Sequence, residues 1–409
     1  MSYNDIQGGA NIASFRLFKA LNKYKLNTEI YCCNKKSKNK KVITYDDLTF
    51  KFFKLVKAKF HNIINRFYRY FSSPNNTNPL ISLNIMPSNW SNKINKNNYD
   101  LVNFHWIGNE TISLNDIAKI KKKIIFTLHD CWAFQSIEHY PTKNIGKYLI
   151  NNKNLELNLF ENIFFSKKLK IFKNINVVTP SNWMANLAKN SKILKNSKIE
   201  VIPNPVNTKI FKLLNKKKCK KFFNLKEKKI ILFGSAAPLY NPAKNFECVI
   251  NIVNNLKKQN KFKDCQLVIY GAYDEEILSK IKFNYKHVGF INDERKLAKL
   301  NNCADVFLQP SKIDNLPQTA IESIACGTPV VSFNIGGMKD IVDNNKNGFL
   351  VKPFNEKDYL NKVIKLLNLD SKKKREIKKY CYSKALRLWS QKVVGLKYKN
   401  FYKKVINEN

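Results

Sequence analysis

The sequence predicts an α/β protein built from two Rossmann-like domains, and three observations carry that expectation. Short apolar runs alternate with helical stretches: KIILFG, QLVIYGA, HVGF, DVFLQPS and TPVVSF follow one another beyond residue 207, with segments such as KNFECVINIVNNLKKQ and QTAIESIAC between them. Strands that are apolar throughout, separated by helices, indicate a parallel sheet covered on both faces. A similar alternation precedes residue 207, and at 409 residues the chain exceeds the size at which one core usually keeps growing. The paired prolines of VIPNPVNTKIF and the lysine-rich NKKKCKKFFNLKEKK mark the junction. The expected organisation is a domain over 1–207, a second over 208–387, and a terminal helix over 388–409.

Taken in order, SYNDIQGGANIASFRLFKALNKY opens on a polar loop and the Gly8-Gly9 turn, then enters a helix with Ile12, Phe15, Leu17, Phe18 and Leu21 apolar. A glycine turn of this kind normally leaves a strand. No apolar run precedes it, so the first strand is expected to be absent or clipped. TEIYCC reads as a short strand, and DLVNFHW, KKIIFTLHD and INVVTPS as buried strands further on. Between them, residues 50–71 interleave aromatic and aliphatic residues with Lys and Arg at helical spacing. Such a helix either packs in the core or docks on an anionic membrane surface.

Composition excludes several classes. Lys+Arg number 73 against 30 Asp+Glu, a formal charge of +43, but the lysines are spread through every segment with Asn and Ile rather than gathered in one stripe. No zinc-finger or aromatic RNA-reading pattern accompanies them, so nucleic acid is not an expected partner. The nine cysteines include no Cys-x-x-Cys pair, which favours reduced, buried thiols in a cytoplasmic protein over a zinc site or a disulfide framework. There is neither a signal-peptide apolar core nor a run of 18 apolar residues, so the sequence indicates neither secretion nor a membrane span.

In open α/β sheets, ligands bind beyond the carboxyl ends of the strands. Asp314 stands on the loop after DVFLQP, and Pro317 then starts the helix that carries Glu322. Carboxylates there suit sugar hydroxyls, because charge-assisted hydrogen bonds are roughly twice as strong as neutral ones. The plainer alternative makes Asp314 a capping acid and Glu322 a solvated helix residue. Lys244 follows the first strand of the same half and its loop, placed to neutralise a phosphate. His129 ends KIIFTLHD, and His105 with Trp106 ends VNFHW, as candidates to line the same cleft or as structural residues.

These stretches together carry a resemblance. DNLPQTAIESIACGTPVVSFNIGGMKDIVDNNKNGFLV, VTPSNWMAN, VIPNPVNTKIF, NFHWIGN, TLHDCWAF and DIQGGANIASFRLFKAL resemble bacterial group 1, or family 4, glycosyltransferases, which are retaining enzymes of the GT-B fold. The likeness covers nearly the whole chain and is strongest to enzymes that build colanic acid, O-antigen or capsule. It implies two Rossmann-like domains facing across a cleft, the second binding a nucleotide-diphosphate sugar and the first a glycan or lipid-linked glycan acceptor.

The family's Glu-x7-Glu pair corresponds to Asp314 and Glu322, the first one methylene shorter. The resemblance gives Asp314 and the amides near Asn315 and Leu316 to the donor sugar, Glu322 to the ribose, and Lys244 to phosphate. It places the Gly8-Gly9 loop under the diphosphate and His129 near the donor sugar. It also implies donor contacts at Gly234 and Ser235, with Ser235 standing where the family often has Arg. His105 and Trp106 remain candidates for the acceptor side. Diphosphate departure would be aided by Lys244, the glycine loop and a helix terminus, with attack on the same face. Neither a metal nor another cofactor is expected, and no Asp-x-Asp motif ends a strand. The expected location is the cytoplasm, peripherally on the inner membrane. Two other classes share these features, a GT-B-like nucleotide-sugar epimerase and an inactive glycan- or nucleotide-binding scaffold.

Overall fold

The computed structural model describes residues 1–44, 80–140, 157–235, 242–272 and 274–408, together with 56–57, 59–60, 62–64 and 66. The chain divides into two compact units, Met1–Pro203 with Gly395–Asn409, and Asn204–Val394. The first division falls a few residues before position 207.

In the first unit, parallel strands β1 (Ser2–Asn4), β2 (Ile30–Asn34) and β3 (Val42–Ile43) form one ladder, and β4 (Leu101–Phe104), β5 (Lys123–Thr127), β6 (Asn176–Thr179) and β7 (Lys198–Val201) form another. The backbone joins them. Tyr3 N–H donates to Trp106 O at 2.8 Å and His105 N–H to Met1 O at 2.9 Å, which seats β1 between β2 and the end of β4.

The expectation that the first strand is absent or clipped is therefore corrected: Ser2 pairs with Cys32 and Asn4 with Asn34. The strand has three residues, SYN, and no apolar run to announce it. Backbone ladders and the buried Asp5 carboxylate hold it instead. That carboxylate accepts from the N–H groups of Ile6, Lys36 and Ser37 at 2.8–3.0 Å, tying the end of β1 to the loop after β2.

The helix Gly9–Asn22 follows at once. Its Leu17, Phe18 and Leu21 are buried, as the spacing of the apolar positions requires. The last helix, Gln391–Asn407, extends into the same unit, where Asn103 Nδ2 donates to Tyr402 Oη at 2.7 Å. Gly395 is needed for that approach, since a Cβ there would come within 2.9 Å of Tyr24 and 3.1 Å of Ala20.

Of the stretch 50–71, only eight positions are described, and these are helical; the rest lies outside the described residues. Lys57 is buried and donates to Glu110 O at 3.3 Å, and Ile64 packs on the core, while Ile63 is exposed.

The second unit is one parallel sheet in the order β10 (Tyr285–His287), β9 (Cys265–Tyr270), β8 (Lys229–Gly234), β11 (Val306–Gln309), β12 (Val330–Phe333) and β13 (Gly348–Val351). Ile230, Ile231, Leu232, Phe307, Leu308, Val330 and Val331 are all fully buried, as a sheet covered on both faces demands. Because every pairing is parallel, Gly234, Tyr270, Gln309 and Phe333 end their strands at one edge. No helix among the described residues is long and apolar enough to cross a membrane. All nine cysteines are buried and none is in a disulfide.

Candidate active site

At that edge of the second unit, β8 ends on Gly234, which pairs with Tyr270 and has no room for a side chain beside it. A Cβ on Gly234 would lie 2.0 Å from the Tyr270 ring. Ser235 N–H then donates to Tyr270 O at 3.3 Å, and residues 236–241 lie outside the description. The chain re-enters at Pro242–Lys244, and Asn245, at φ 54°, turns it into the helix Phe246–Lys257. Asn tolerates that left-handed backbone better than most residues.

Two hydrogen bonds tie this loop to the one after β11: Lys312 N–H to Ala243 O at 2.7 Å, and Asn245 Nδ2 to Pro310 O at 3.1 Å. The consequence is a direct contact. Lys244 Nζ lies 2.5 Å from Asp314 Oδ2, with the lysine side chain 25% and the aspartate side chain 15% exposed. Ser311 Oγ, 3.5 Å from the same carboxylate oxygen, receives Gln309 Nε2 at 2.7 Å, and Gln309 Oε1 accepts from Thr319 Oγ1 at 3.1 Å. The loop is thus fastened at both ends.

The turn after β12 supports it from behind. Gly336, at φ 52°, packs so closely that a Cβ would stand 1.9 Å from Asp314 O, and Gly337 N–H donates to that same oxygen at 3.1 Å. Pro317 caps the helix Gln318–Ala325, which carries Glu322 inward to 4% exposure. Burial, then the nearby Glu322 charge, pushes the Tyr270 hydroxyl well above its ordinary pKa. That hydroxyl is buried and has no hydrogen-bond partner among the described residues. Leu316 is buried in the apolar core, so only its backbone is available to a ligand, and Asn315 is 7% exposed.

In the first unit, the ends of β4 and β5 bring His105 and His129 together. His105 Nδ1 and His129 Nε2 are 3.0 Å apart, and their rings stack at 5.3 Å and 27°. Burial lowers the His129 pKa to about 4, offset in part by Asp130. Burial and then His129 drive His105 well below its usual value. Both imidazoles are therefore neutral near pH 7, and each carries one N–H and one acceptor nitrogen.

Asp130, next in the chain, gathers the surrounding donors. Its Oδ2 accepts from Trp106 Nε1 at 2.8 Å and lies 2.6 Å from His139 Nδ1, while Oδ1 accepts from the Trp132 N–H at 3.0 Å. Burial opposes ionisation of Asp130, but His139 and the Trp132 amide outweigh it and hold the carboxyl below its ordinary pKa. His139 Nε2 is in turn 2.7 Å from Ser82 Oγ. Ser82, His139 and Asp130 thus align like a nucleophile relay. Ser82 and His139 are each only 1% exposed, so the chain of bonds is a brace beneath Trp106 rather than a reaction centre.

Sequence reasoning missed His139 and Ser82. No local sequence pattern signals them, because Ser82 and His139 are 57 residues apart. Gly8, at φ 88°, precedes the helix Gly9–Asn22, whose first turn has neither an acidic residue nor a side-chain cap. The two sets of residues therefore sit in separate units: Gly8, Gly9, His105, Trp106 and His129 in the first, and Gly234, Ser235, Lys244, Asp314, Asn315, Leu316 and Glu322 in the second.

Comparison with known proteins agrees with this division. Residues 7–210 match the family described as Glycosyltransferase Family 4, and residues 215–384 the one described as Glycosyl transferases group 1. The chain belongs to these glycosyltransferases. It is 30% identical over 194 residues to the Escherichia coli UDP-Gal:alpha-D-GlcNAc-diphosphoundecaprenol alpha-1,3-galactosyltransferase, covering 43% of this chain and 48% of that one. Over 310 residues it is 29% identical to the glycogen synthase of Mycoplasma mobile, covering 64% of this chain and 63% of that one. The chain thus spans about half to just under two thirds of these relatives.

Among solved structures it is similar to sucrose-phosphate synthase of Thermosynechococcus elongatus, with TM-score 0.65, 16% identity and coverage of 99% and 95%. It is also similar to Anabaena HepE in complex with UDP and glucose, with TM-score 0.61, 13% identity and coverage of 98% of each chain. These likenesses show the fold, which is GT-B.

Proposed function

We propose that this protein is a retaining glycosyltransferase that moves a sugar from a nucleotide-diphosphate donor to a glycan acceptor, lipid-linked, in surface-polysaccharide synthesis. The observation that carries the reading is the Lys244–Asp314 contact at the strand ends of a group 1 glycosyltransferase domain. One loop there offers a cation for phosphate and the next a carboxylate for hydroxyls. A relative of 30% identity is named for a galactosyl transfer to a diphosphoundecaprenol-linked GlcNAc, which supports the lipid-linked acceptor.

On this reading the Asn204–Val394 unit binds the donor. Lys244 meets the phosphate charge that builds as the diphosphate leaves, a preorganised electrostatic role. Asp314 accepts hydrogen bonds from the sugar, the backbone N–H groups of Asn315 and Leu316 add donors, and Glu322 takes the ribose hydroxyls. The Gly8-Gly9 turn supplies backbone N–H groups to the diphosphate, as helix starts do. Neutral His129 hydrogen-bonds a sugar hydroxyl without adding charge, and Trp106 offers an apolar face to the acceptor. The scheme calls for no metal and no carboxylate nucleophile. The protein works at the cytoplasmic face of the membrane that carries its acceptor.

Calorimetric titration with a panel of nucleotide sugars tests the donor site. Saturable binding of at least one donor, weakened at least tenfold by Lys244→Met, is expected. Binding unaffected by that substitution would remove Lys244 from the site. Conversion of a donor to its epimer without any acceptor would favour the epimerase.

A further inference from the structure

The opposite end of the second unit's sheet, where β11 and β12 begin, holds a cavity of about 130 Å³ lined by Lys216, Lys374, Lys378, Asp305, Thr328 and Cys326 among others. It is lysine-rich at short range. Lys216 Nζ is 2.7 Å and Lys374 Nζ 4.0 Å from Asp305 Oδ1, and the other carboxylate oxygen already accepts from the Ile230 N–H at 2.9 Å. One carboxylate therefore pairs with two ammonium groups, and a third, that of Lys378, lies within its electrostatic reach.

Lys378 is the group left over. It has no hydrogen-bond or ion-pair partner among the described residues, and its stem is pinned over Gly327, where a Cβ would come 2.5 Å from Lys378 Cγ. Burial, then repulsion from Lys216, lowers its pKa. A second negative charge in the cavity would relieve that repulsion.

The neutral lining narrows the class of ligand. Thr328 Oγ1 already donates to Asn301 O at 2.7 Å. Asn302 Nδ2 donates to Lys212 O and Ala298 O at 2.9 Å, and its Oδ1 accepts from the Leu214 N–H at 2.8 Å. These groups have little left for the hydroxyls of a sugar. The rest of the neutral lining, with Ala304, Pro329, Leu366, Leu369 and Ile377, is apolar, so the ammonium groups are the polar recognition elements that remain, and they suit a compact anion with several acceptor oxygens. A space of about 130 Å³ has room for a phosphate group with its water.

We propose that this cavity binds a phosphate-type oxyanion, as free phosphate or a small phosphomonoester, through Lys216, Lys374 and Lys378. The site lies at the other end of the strands from Lys244 and does not depend on the glycosyltransferase reading.

The test is calorimetric titration of the full chain with inorganic phosphate at constant ionic strength, chloride serving as control. It is run on the Lys244→Met protein, so that the donor site does not contribute. Saturable binding that chloride does not reproduce is expected, with the dissociation constant raised at least tenfold by Lys378→Met and partly restored by Lys378→Arg. Lys374→Gln, a change at a partly exposed side chain, is expected to weaken binding several-fold and decides the matter if the Lys378 variant does not fold. Glycerol 3-phosphate binding more tightly than phosphate would identify a monoester, and weaker binding the free ion. No saturable phosphate binding, or an unchanged dissociation constant in these variants, would overturn the proposal.

Discussion

Lys244 Nζ and Asp314 Oδ2 stand 2.5 Å apart, joining two loops that follow different strands of one sheet. The pair is partly shielded, so each charge fixes the other's position more firmly than an exposed ion pair would. If Lys244 acts on phosphate, Asp314 also positions it. Lys244→Met and Asp314→Ala are each expected to lower kcat/KM for the donor by about 10²–10³, the usual cost of one preorganised electrostatic group. The double variant should cost little more than either single one, because contacting residues are not additive. Full additivity in steady-state kinetics would show that the two act independently.

The buried His105–His129 pair makes stability depend on pH. The His129 pKa falls to about 4 in the folded chain, against an unfolded value near 6.5. Between these values the unfolded chain binds more protons, so stability rises with pH. The contribution is complete above pH 6.5 and is lost as pH falls towards 4. Thermal unfolding of the wild type should therefore weaken across that window, and His129→Gln should flatten the dependence. An equally steep fall in the variant would assign it to other groups.

Tyr270 is buried, and its hydroxyl has no hydrogen-bond partner among the described residues. Leaving such a group unsatisfied costs about 1–3 kcal/mol. Tyr270→Phe keeps the ring against Gly234 and is expected to raise stability by about 1 kcal/mol in denaturant unfolding. A loss of stability would mean that the hydroxyl is satisfied in solution.

Gly336 has both a positive φ and no room for a Cβ, with Asp314 O at 1.9 Å. Gly336→Ala should destabilise by about 2–4 kcal/mol, since backbone strain and a clash coincide. It should also raise the donor KM by displacing the Asp314 loop. Wild-type kinetics with wild-type stability would show that the loop tolerates the shift.

The position of the candidate residues in the fold was legible because the strands of a parallel sheet deliver their loops to one edge. Alternating apolar runs placed Lys244, Asp314, His105 and His129 there without reference to any contact. The contacts themselves were not legible: Lys244 and Asp314 are 70 residues apart, and His139 and Ser82 are 57 apart. No local pattern records such a meeting. β1 escaped notice for a different reason. Its three polar residues are held by backbone pairing and by Asp5, and hydrophobic periodicity registers neither. The stretch 50–71, read as core helix or membrane-docking helix, lies largely outside the described residues.

The central claim is that this chain transfers a sugar from a nucleotide donor through the loops of Lys244 and Asp314. The most direct measurement is release of nucleoside diphosphate from a panel of nucleotide sugars in the presence of lipid-linked glycan acceptors. Release with at least one donor, dependent on acceptor and reduced at least 100-fold by Asp314→Ala, is the expected result. No release with any donor while nucleotide sugars still bind, or release untouched by Asp314→Ala, would contradict it.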